Sequence, residues 1–182
     1  MNIPSDEKLL IKTKRLILEP ILVSHANEMA KLLEDSELYT FIPNDPLDLA
    51  KLQKKYELWS KRISPDRDEI WLNWAARLTA SDEVVGHFQV GVREGTESNL
   101  AYTVGLKWQR KGFALEALHA VLKFVNANMD LRVIKAWIDT RNIASIKLVE
   151  KIGMQRVGFV QKADHFKGSD SDEFIYQFSF SQ

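Results

Sequence analysis

Near residue 112 the hydrophobic period of the chain switches from about two to about 3.6, and few architectures accommodate that switch. Before it, Leu72, Trp74, Ala76 and Leu78 alternate with Asn73, Ala75 and Arg77, which predicts a half-buried strand over 71–79. Ser81-Asp82-Glu83 turns the chain into a second strand over 84–92, with Phe88, Val90 and Val92 on one face. A polar turn at 93–98 leads to a third strand over 99–106, so the three form an antiparallel meander. After the switch, Leu115, Leu118, Leu122 and Val125 make one stripe, flanked by Ala114, Ala117 and Val121, which predicts a well-buried amphipathic helix over 112–129. A strand over 132–140 follows, then a helix over 142–152 closed by Gly153. Strands over 156–160 and 173–180, with a polar loop between them, complete the chain.

Upstream, 14–20 reads as a strand ending at Pro20. Ser24 is placed to cap a helix carrying Ala26, Met29, Ala30 and Leu33. Residues 41–46 read as a loop, in which Asp45-Pro46 opens a helix with Leu49, Leu52, Tyr56 and Trp59 on one face. A meander joined to a strand–helix–strand–helix run implies an α/β (α+β) fold, a mixed sheet with helices on its faces. With 182 residues and no repeat, low-complexity segment or linker, 1–182 reads as a single domain.

Charge and composition narrow the function. Twenty-five basic side chains balance 25 acidic ones, so no global excess is present to neutralise phosphates, and direct nucleic-acid binding is not expected. Cysteine is absent, which removes thiol catalysis, disulfides and cysteine metal sites. No His/Asp/Glu group has metal-ligand spacing, and no Ser-His-Asp motif occurs. The first twenty residues lack a signal-peptide core, and no stretch approaches the ~20 apolar residues of a membrane span, so a cytoplasmic protein with no membrane partner is expected.

Gln109-Arg110-Lys111-Gly112-Phe113-Ala114 stands where the long helix begins. A helix start already presents unsatisfied N–H groups and positive partial charge, so added cations are poor design unless an anion sits there. Gly112 permits a tight turn and close approach of a ligand, and small Ala114 permits close packing of helix on sheet. The turn matches neither the P-loop nor the dinucleotide glycine pattern. Its other reading is a strand-to-helix turn with exposed basic side chains. Asn142 and Ser145 open the second helix, where asparagine is a preferred cap and serine needs no further purpose; alternatively both line a groove beside the basic turn.

"WQRKGFALEAL" and "RNIASIKLVEKIGMQRVG", with the early "TKRLILEP" and "VVGHFQV", resemble the GNAT superfamily of acetyl-CoA-dependent N-acetyltransferases, and most the ribosomal-protein N-terminal acetyltransferase (RimJ/RimL-type) group, from about Thr13 to about Phe180. The resemblance implies about seven mostly antiparallel strands with helices on both faces. It implies a V-shaped opening between 99–106 and 132–140 that takes acetyl-CoA, a cosubstrate, with its pyrophosphate on the N–H groups of 110–114. By the same carry-over Val104 and Leu106 offer backbone groups to the pantetheine arm and the thioester carbonyl. Gln109, Arg110, Lys111, Gly112, Phe113 and Ala114 form the phosphate-binding turn, Asn142 bonds the arm and Ser145 faces the sulfur. Lys151 reaches the ribose phosphate, or is a solvated cation at a helix C-terminus. The superfamily's common tyrosine acid is missing: Leu148 and Val149 occupy that part of the helix, so Ser145 is the acid candidate.

Amine acetylation needs a neutral amine, a stabilised carbonyl oxygen and a protonated leaving thiol, and no covalent enzyme intermediate. An α-amine, with pKa near 7.7–8.0, is about a tenth or more neutral at pH 7, whereas a lysine amine must be shifted by about 3.4 units, about 4.6 kcal/mol. A weak carboxylate base therefore suits a protein N-terminus. "QKADHFKG" resembles the segment that supplies a catalytic glutamate in RimL-type enzymes, and Asp164 takes that place; His165 beside it is a second candidate, and an ordinary polar loop is the other account. His87 and His119 read as structural and His25 as exposed. Acceptor choice is assigned to loops 35–47, 61–70 and 161–171, with Tyr39, Phe41 and Phe166 as lining or packing residues. The expected acceptor is a protein N-terminal α-amine. A small amine (polyamine, amino acid or antibiotic) is the enzymatic alternative, and a CoA-binding module without turnover the non-enzymatic one. An RNA-associated role for Lys107, Arg110 and Lys111 is a third reading, and the chain is expected to be a monomer or homodimer.

Overall fold

The computed structural model describes residues 3–93 and 98–180; most of the turn expected at 93–98 lies outside the described residues. A short helix α1 (Asp6–Leu9) leads to β1 (Ile11–Lys12) and β2 (Leu16–Pro20). Helices α2 (Ala26–Leu32) and α3 (Leu49–Trp59) precede the meander β3 (Glu69–Leu78), β4 (Val84–Arg93) and β5 (Ser98–Val104). Then come α4 (Phe113–Asn128), β6 (Val133–Asp139), α5 (Ile143–Lys151), β7 (Gln155–Phe166) and β8 (Ser169–Ser179). Among the described residues eight strands join one sheet in the order β1-β2-β3-β4-β5-β6-β8-β7, one more than the about seven expected because β1 adds a two-residue edge.

Every neighbouring pair is antiparallel except β5 with β6. Among the described residues that parallel pair is held at Ser98–Ile134 and Asn99–Lys135, after which the strands part. The sheet therefore opens into a V at the C-terminal ends of β5 and β6. The main core, including Trp74, Phe88, Leu118, Val121 and Val149, packs α4 and α5 on one face, and a second core of Ile21, Met29, Leu52, Tyr56 and Ala75 packs α2 and α3 on the other. Because both faces are covered, Asn73, Trp74, Ala75 and Ala76 are all buried, and β3 is not the half-buried strand its alternation suggests.

Local chemistry moves several expected boundaries. Ser24 lies inside a 3₁₀ turn (Val23–His25) and does not cap α2. His25 is buried rather than exposed, because Leu22 N–H donates to its Nδ1 at 3.0 Å. The cap of α3 is Asp48, whose carboxylate accepts Lys51 N–H at 2.8 Å, three residues beyond the expected Asp45-Pro46. The third meander strand ends at Val104, and Leu106–Trp108 coils into a 3₁₀ turn. Gly153 closes α5 as expected, with φ +92°, its N–H on Glu150 O and Met154 N–H on Val149 O, the paired bonds of a Schellman ending. The polar loop expected between the last strands is instead a long hairpin. Lys167 and Gly168, both at positive φ, make a two-residue turn between the paired residues Phe166 and Ser169.

Candidate functional site

The basic turn closes the wide end of the V. Gln109 N–H donates to Leu106 O at 3.2 Å and its side-chain Nε2 to Val104 O at 3.1 Å, so Gln109 ties the end of β5 to the turn. Gly105 N–H donates to Val85 O. By the alternation of an antiparallel ladder, the N–H of Val104 then faces away from β4, toward the opening. Arg110 (φ +62°) and Gly112 (φ +81°) both adopt left-handed backbone, which doubles the chain back into the start of α4. The first intrahelical bond there is Glu116 N–H to Gly112 O at 3.1 Å, which leaves the N–H groups of Phe113, Ala114 and Leu115 as the free donors of the helix start.

A brace that motif reading missed holds this turn. Arg15, just before β2, donates from Nε to Glu116 Oε2 at 2.6 Å and from Nη1 to Lys111 O at 3.0 Å, and its guanidinium lies 4.5 Å over the Phe113 ring. Thr13 Oγ1 adds a 2.6 Å bond to Glu116 Oε1. Burial raises the Glu116 pKa, but these donors outweigh it and hold the carboxyl below its ordinary value. Phe113 is buried, its ring edge-on to Trp108, so its side chain anchors the helix and only its backbone is offered. Lys107 and Lys111 sit over the Trp108 ring at 4.5 and 4.9 Å, and Lys107 also pairs with Glu83. Arg110 is exposed and has no ion pair among the described residues.

At the opposite side of the opening, Asn142 caps α5 by accepting Ser145 N–H at 3.1 Å. Both readings of Asn142 therefore survive, since its Oδ1 is used by the helix and its amide N–H₂ is not bonded among the described residues. The Ser145 side chain is itself a hydrogen-bond partner of the Tyr102 phenol. Tyr102, from β5, spans the gap and donates to Ser145 O at 3.4 Å, and burial pushes its phenol up to about 12. Val149 is buried in the core and Leu148 packs against it, while Lys151 is exposed in the last turn of α5.

The hairpin of β7 and β8 forms the third part. Asp139, buried at the end of β6, accepts from Arg141 Nε at 2.9 Å and Nη2 at 2.5 Å and from Ser171 Oγ at 2.8 Å. Asp164 is exposed, and its Oδ1 accepts the N–H of His165 at 2.7 Å; His165 in turn pairs through Nδ1 with Asp170 at 2.7 Å. At the hairpin tip Lys167 Nζ meets the carbonyls of Tyr39 (2.5 Å), Ile42 (3.3 Å) and Asn44 (3.4 Å), latching loop 39–45 to the hairpin. Two of the three loops expected to choose the acceptor are thus joined. Tyr39 itself donates to Leu33 O at 3.0 Å, and Phe166 is buried with Arg141 5.9 Å over its ring. His87 is buried, stacked 4.9 Å from Trp59 and 3.1 Å from Asn73 Oδ1, while His119 is exposed on α4. Among the described residues no group of acidic or imidazole side chains is arranged to hold a metal ion, and no helix is long and apolar enough to cross a membrane.

Comparison with known proteins gives the family and the fold. The sequence profile of the family described as acetyltransferase (GNAT) domain matches residues 15–155. A relative from Bacillus subtilis (strain 168), the uncharacterized N-acetyltransferase YnaD, is 25% identical over 167 residues, 91% of this chain and 94% of that protein. An acetyltransferase (GNAT family) structure from Bacillus anthracis superposes with a TM-score of 0.80 at 23% identity, covering 93% of this chain and 98% of that one. RimL, a ribosomal α-N-protein acetyltransferase solved in complex with coenzyme A, superposes with a TM-score of 0.82 at 15% identity, covering 93% of this chain and 97% of that one.

Proposed function

The chain belongs to the acetyltransferase (GNAT) domain family and is an N-acetyltransferase, and from that premise we propose that acetyl-CoA is its donor and a protein N-terminal α-amine, such as that of a ribosomal protein, its acceptor. The reading extends to one acetyltransferase domain over 1–182 working in the cytoplasm. The observation that carries it is the basic turn: two left-handed residues, Arg110 and Gly112, lead into a helix start whose free N–H groups lie at the mouth of a parted parallel pair. Such donors, with the partial charge of the α4 N-terminus, match a diphosphate.

In this reading the N–H groups of Gly112, Phe113 and Ala114 hold the diphosphate, with Arg110 and Lys111 adding charge and Lys151 meeting the ribose phosphate. Gln109 keeps the turn in register with β5. The backbone of Val104 and Leu106 lines the pantetheine arm, and the Asn142 amide donates to it. The Ser145 hydroxyl hydrogen-bonds the sulfur as it leaves, while Asn142 accepts its N–H and Tyr102 donates to its carbonyl. The amine enters from the α2/α3 face, where a carboxylate of the β7–β8 hairpin takes its proton. The neutral amine attacks the thioester carbonyl directly, in a ternary complex.

The test is to mix purified protein, labelled acetyl-CoA and cell extract and to map the label by mass spectrometry. Label on the α-amines of a few proteins supports the proposal. Label confined to small amines replaces the acceptor, and acetyl-CoA binding with no transfer turns the protein into a non-catalytic module.

A further inference from the structure

We propose that Glu173 is the general base of acetyl transfer: the joined β6, β8 and β7 strands gather it with Asp139 and Asp164 on one face and leave its carboxylate, alone of the three, without a hydrogen-bond partner among the described residues. The inference rests on the acetyl-transfer reading above and names the residue that serves its acceptor site.

Register makes the cluster. Glu173 is the direct cross-strand partner of Asp139 on one side and of Val160 on the other, and Asp164 is the partner of Ser171. Direct partners present their side chains on the same face, as do residues two apart on one strand. Asp139, Asp164, Ser171 and Glu173 therefore share a face. The neighbouring β8 residue Tyr176 bonds Glu150 of α5, which places this shared face opposite α5, on the side where α2 and α3 pack. The latched loop 39–45 borders it through Lys167.

The three carboxylates have different employment. Asp139 is saturated by Arg141 and Ser171. Asp164 folds onto the N–H of its own successor and is exposed. Glu173 is half-buried and free to accept. The charged groups facing it are Asp139 with its bound Arg141 from the end of β6, and Asp164 from β7. Burial first, then the Asp164 and Asp139 charges, hold its carboxyl above the ordinary glutamate value, which improves it as a base. Glu173, directly or through one water, takes a proton from the acceptor ammonium. The neutral amine attacks the thioester carbonyl carbon; the N–C bond forms, the C–S bond breaks, and the second amine proton passes to the departing thiolate. Glu173 then returns its proton to solvent.

The experiment follows thiol release from acetyl-CoA with a pool of free-N-terminus peptides, alongside calorimetric acetyl-CoA binding on the same samples. Glu173→Gln is expected to lower kcat about 100-fold with acetyl-CoA affinity within about twofold, and to erase the acidic limb of the kcat profile. Asp164→Asn keeps most of kcat and moves that limb to lower pH, because it removes a like charge beside Glu173. Carbon-13 carboxyl titration, with the Glu173 signal identified by its loss in Glu173→Gln, reads the same group without any acceptor: it titrates above the exposed glutamates and falls in Asp164→Asn. Retained kcat with an intact acidic limb in Glu173→Gln, loss of activity in Asp164→Asn, or a Glu173 signal titrating with the exposed glutamates overturns the assignment. Wild-type protein that binds acetyl-CoA but acetylates no peptide refutes the N-terminal acceptor instead, and the carboxyl titration then decides Glu173.

Discussion

Arg15 Nε lies 2.6 Å from Glu116 Oε2, and this one pair fastens the start of β2 to the first turn of α4, the helix that would bind a diphosphate. The two residues are 101 positions apart in sequence. The same Arg15 reaches Lys111 O and covers Phe113, so the shape of the turn depends on it. Arg15→Ala should cost about 1 kcal/mol of stability, since the pair is partly exposed, and weaken acetyl-CoA binding about three- to tenfold. Denaturant melts and calorimetry check the two numbers; unchanged affinity would show that the turn holds its shape without the brace.

Gly112 sits at φ +81°, and a Cβ there would come 3.3 Å from Arg15 Nη2. Gly112→Ala should therefore cost about 1 kcal/mol through backbone strain. Gly112→Glu adds a negative charge where an anion is to bind, and should lower acetyl-CoA affinity by at least about 100-fold, or about 2.7 kcal/mol. Undiminished affinity in calorimetry would contradict the placement of the diphosphate.

Ser145→Ala removes a half-buried hydroxyl that meets the Tyr102 phenol, so stability should fall by no more than about 1 kcal/mol. Turnover should fall about tenfold or more, with acetyl-CoA affinity nearly constant. Steady-state kinetics that show full turnover would remove Ser145 from the chemistry.

His87 is buried and neutral, its pKa driven down to about 3 first by burial and then by the Lys55 charge. In the unfolded chain it titrates near 6.5. The folded value is the lower one, so the protonated form favours unfolding. Its contribution is whole above about pH 6.5 and is lost as pH falls toward 3. Between pH 7 and pH 5 it should cost about 2 kcal/mol of stability. Urea unfolding at the two pH values checks this, and His87→Gln should show a smaller loss by about that amount.

Lys167→Met cuts the latch between the hairpin tip and the carbonyls of Tyr39, Ile42 and Asn44. The acceptor KM should rise about threefold or more with kcat little changed, because the loop borders the acceptor face and not the thioester. Hydrogen exchange should quicken in 39–45. Equal exchange in both proteins would show that the loop is held by other contacts.

What the sequence revealed, and what it hid, follows from where the information lies. The period change at Gly112 and the alternation through β3, β4 and β5 are local signals, and they locate the meander, α4 and the turn. Both strands of the C-terminal hairpin were expected, but its outer half was hidden because β7 beyond Val160 is an exposed edge that no apolar alternation marks. Its register is set by the Lys167-Gly168 turn instead. The cap of α3 was misplaced because Asp45 and Asp48 have the same chemistry, and only the packing of Leu52 and Tyr56 selects between them. Arg15 was invisible as a site residue because its partner Glu116 lies 101 positions away, Tyr102 because it meets Ser145 only across the opening, and Asp139 and Glu173 because their pairing appears only with the order β6-β8-β7. The "IDTRN" stretch did carry a usable sign: an aspartate two residues before an arginine at a strand end, beside the capping Asn142.

The central claim is that the start of α4 grips the donor's diphosphate, and amide resonances report on it directly. In a titration of nitrogen-15-labelled protein with acetyl-CoA, the largest shifts should fall on Gly112, Phe113 and Ala114, with a second set at Asn142 and Ser145. Saturable binding that leaves the amides of 110–114 unmoved would contradict the account.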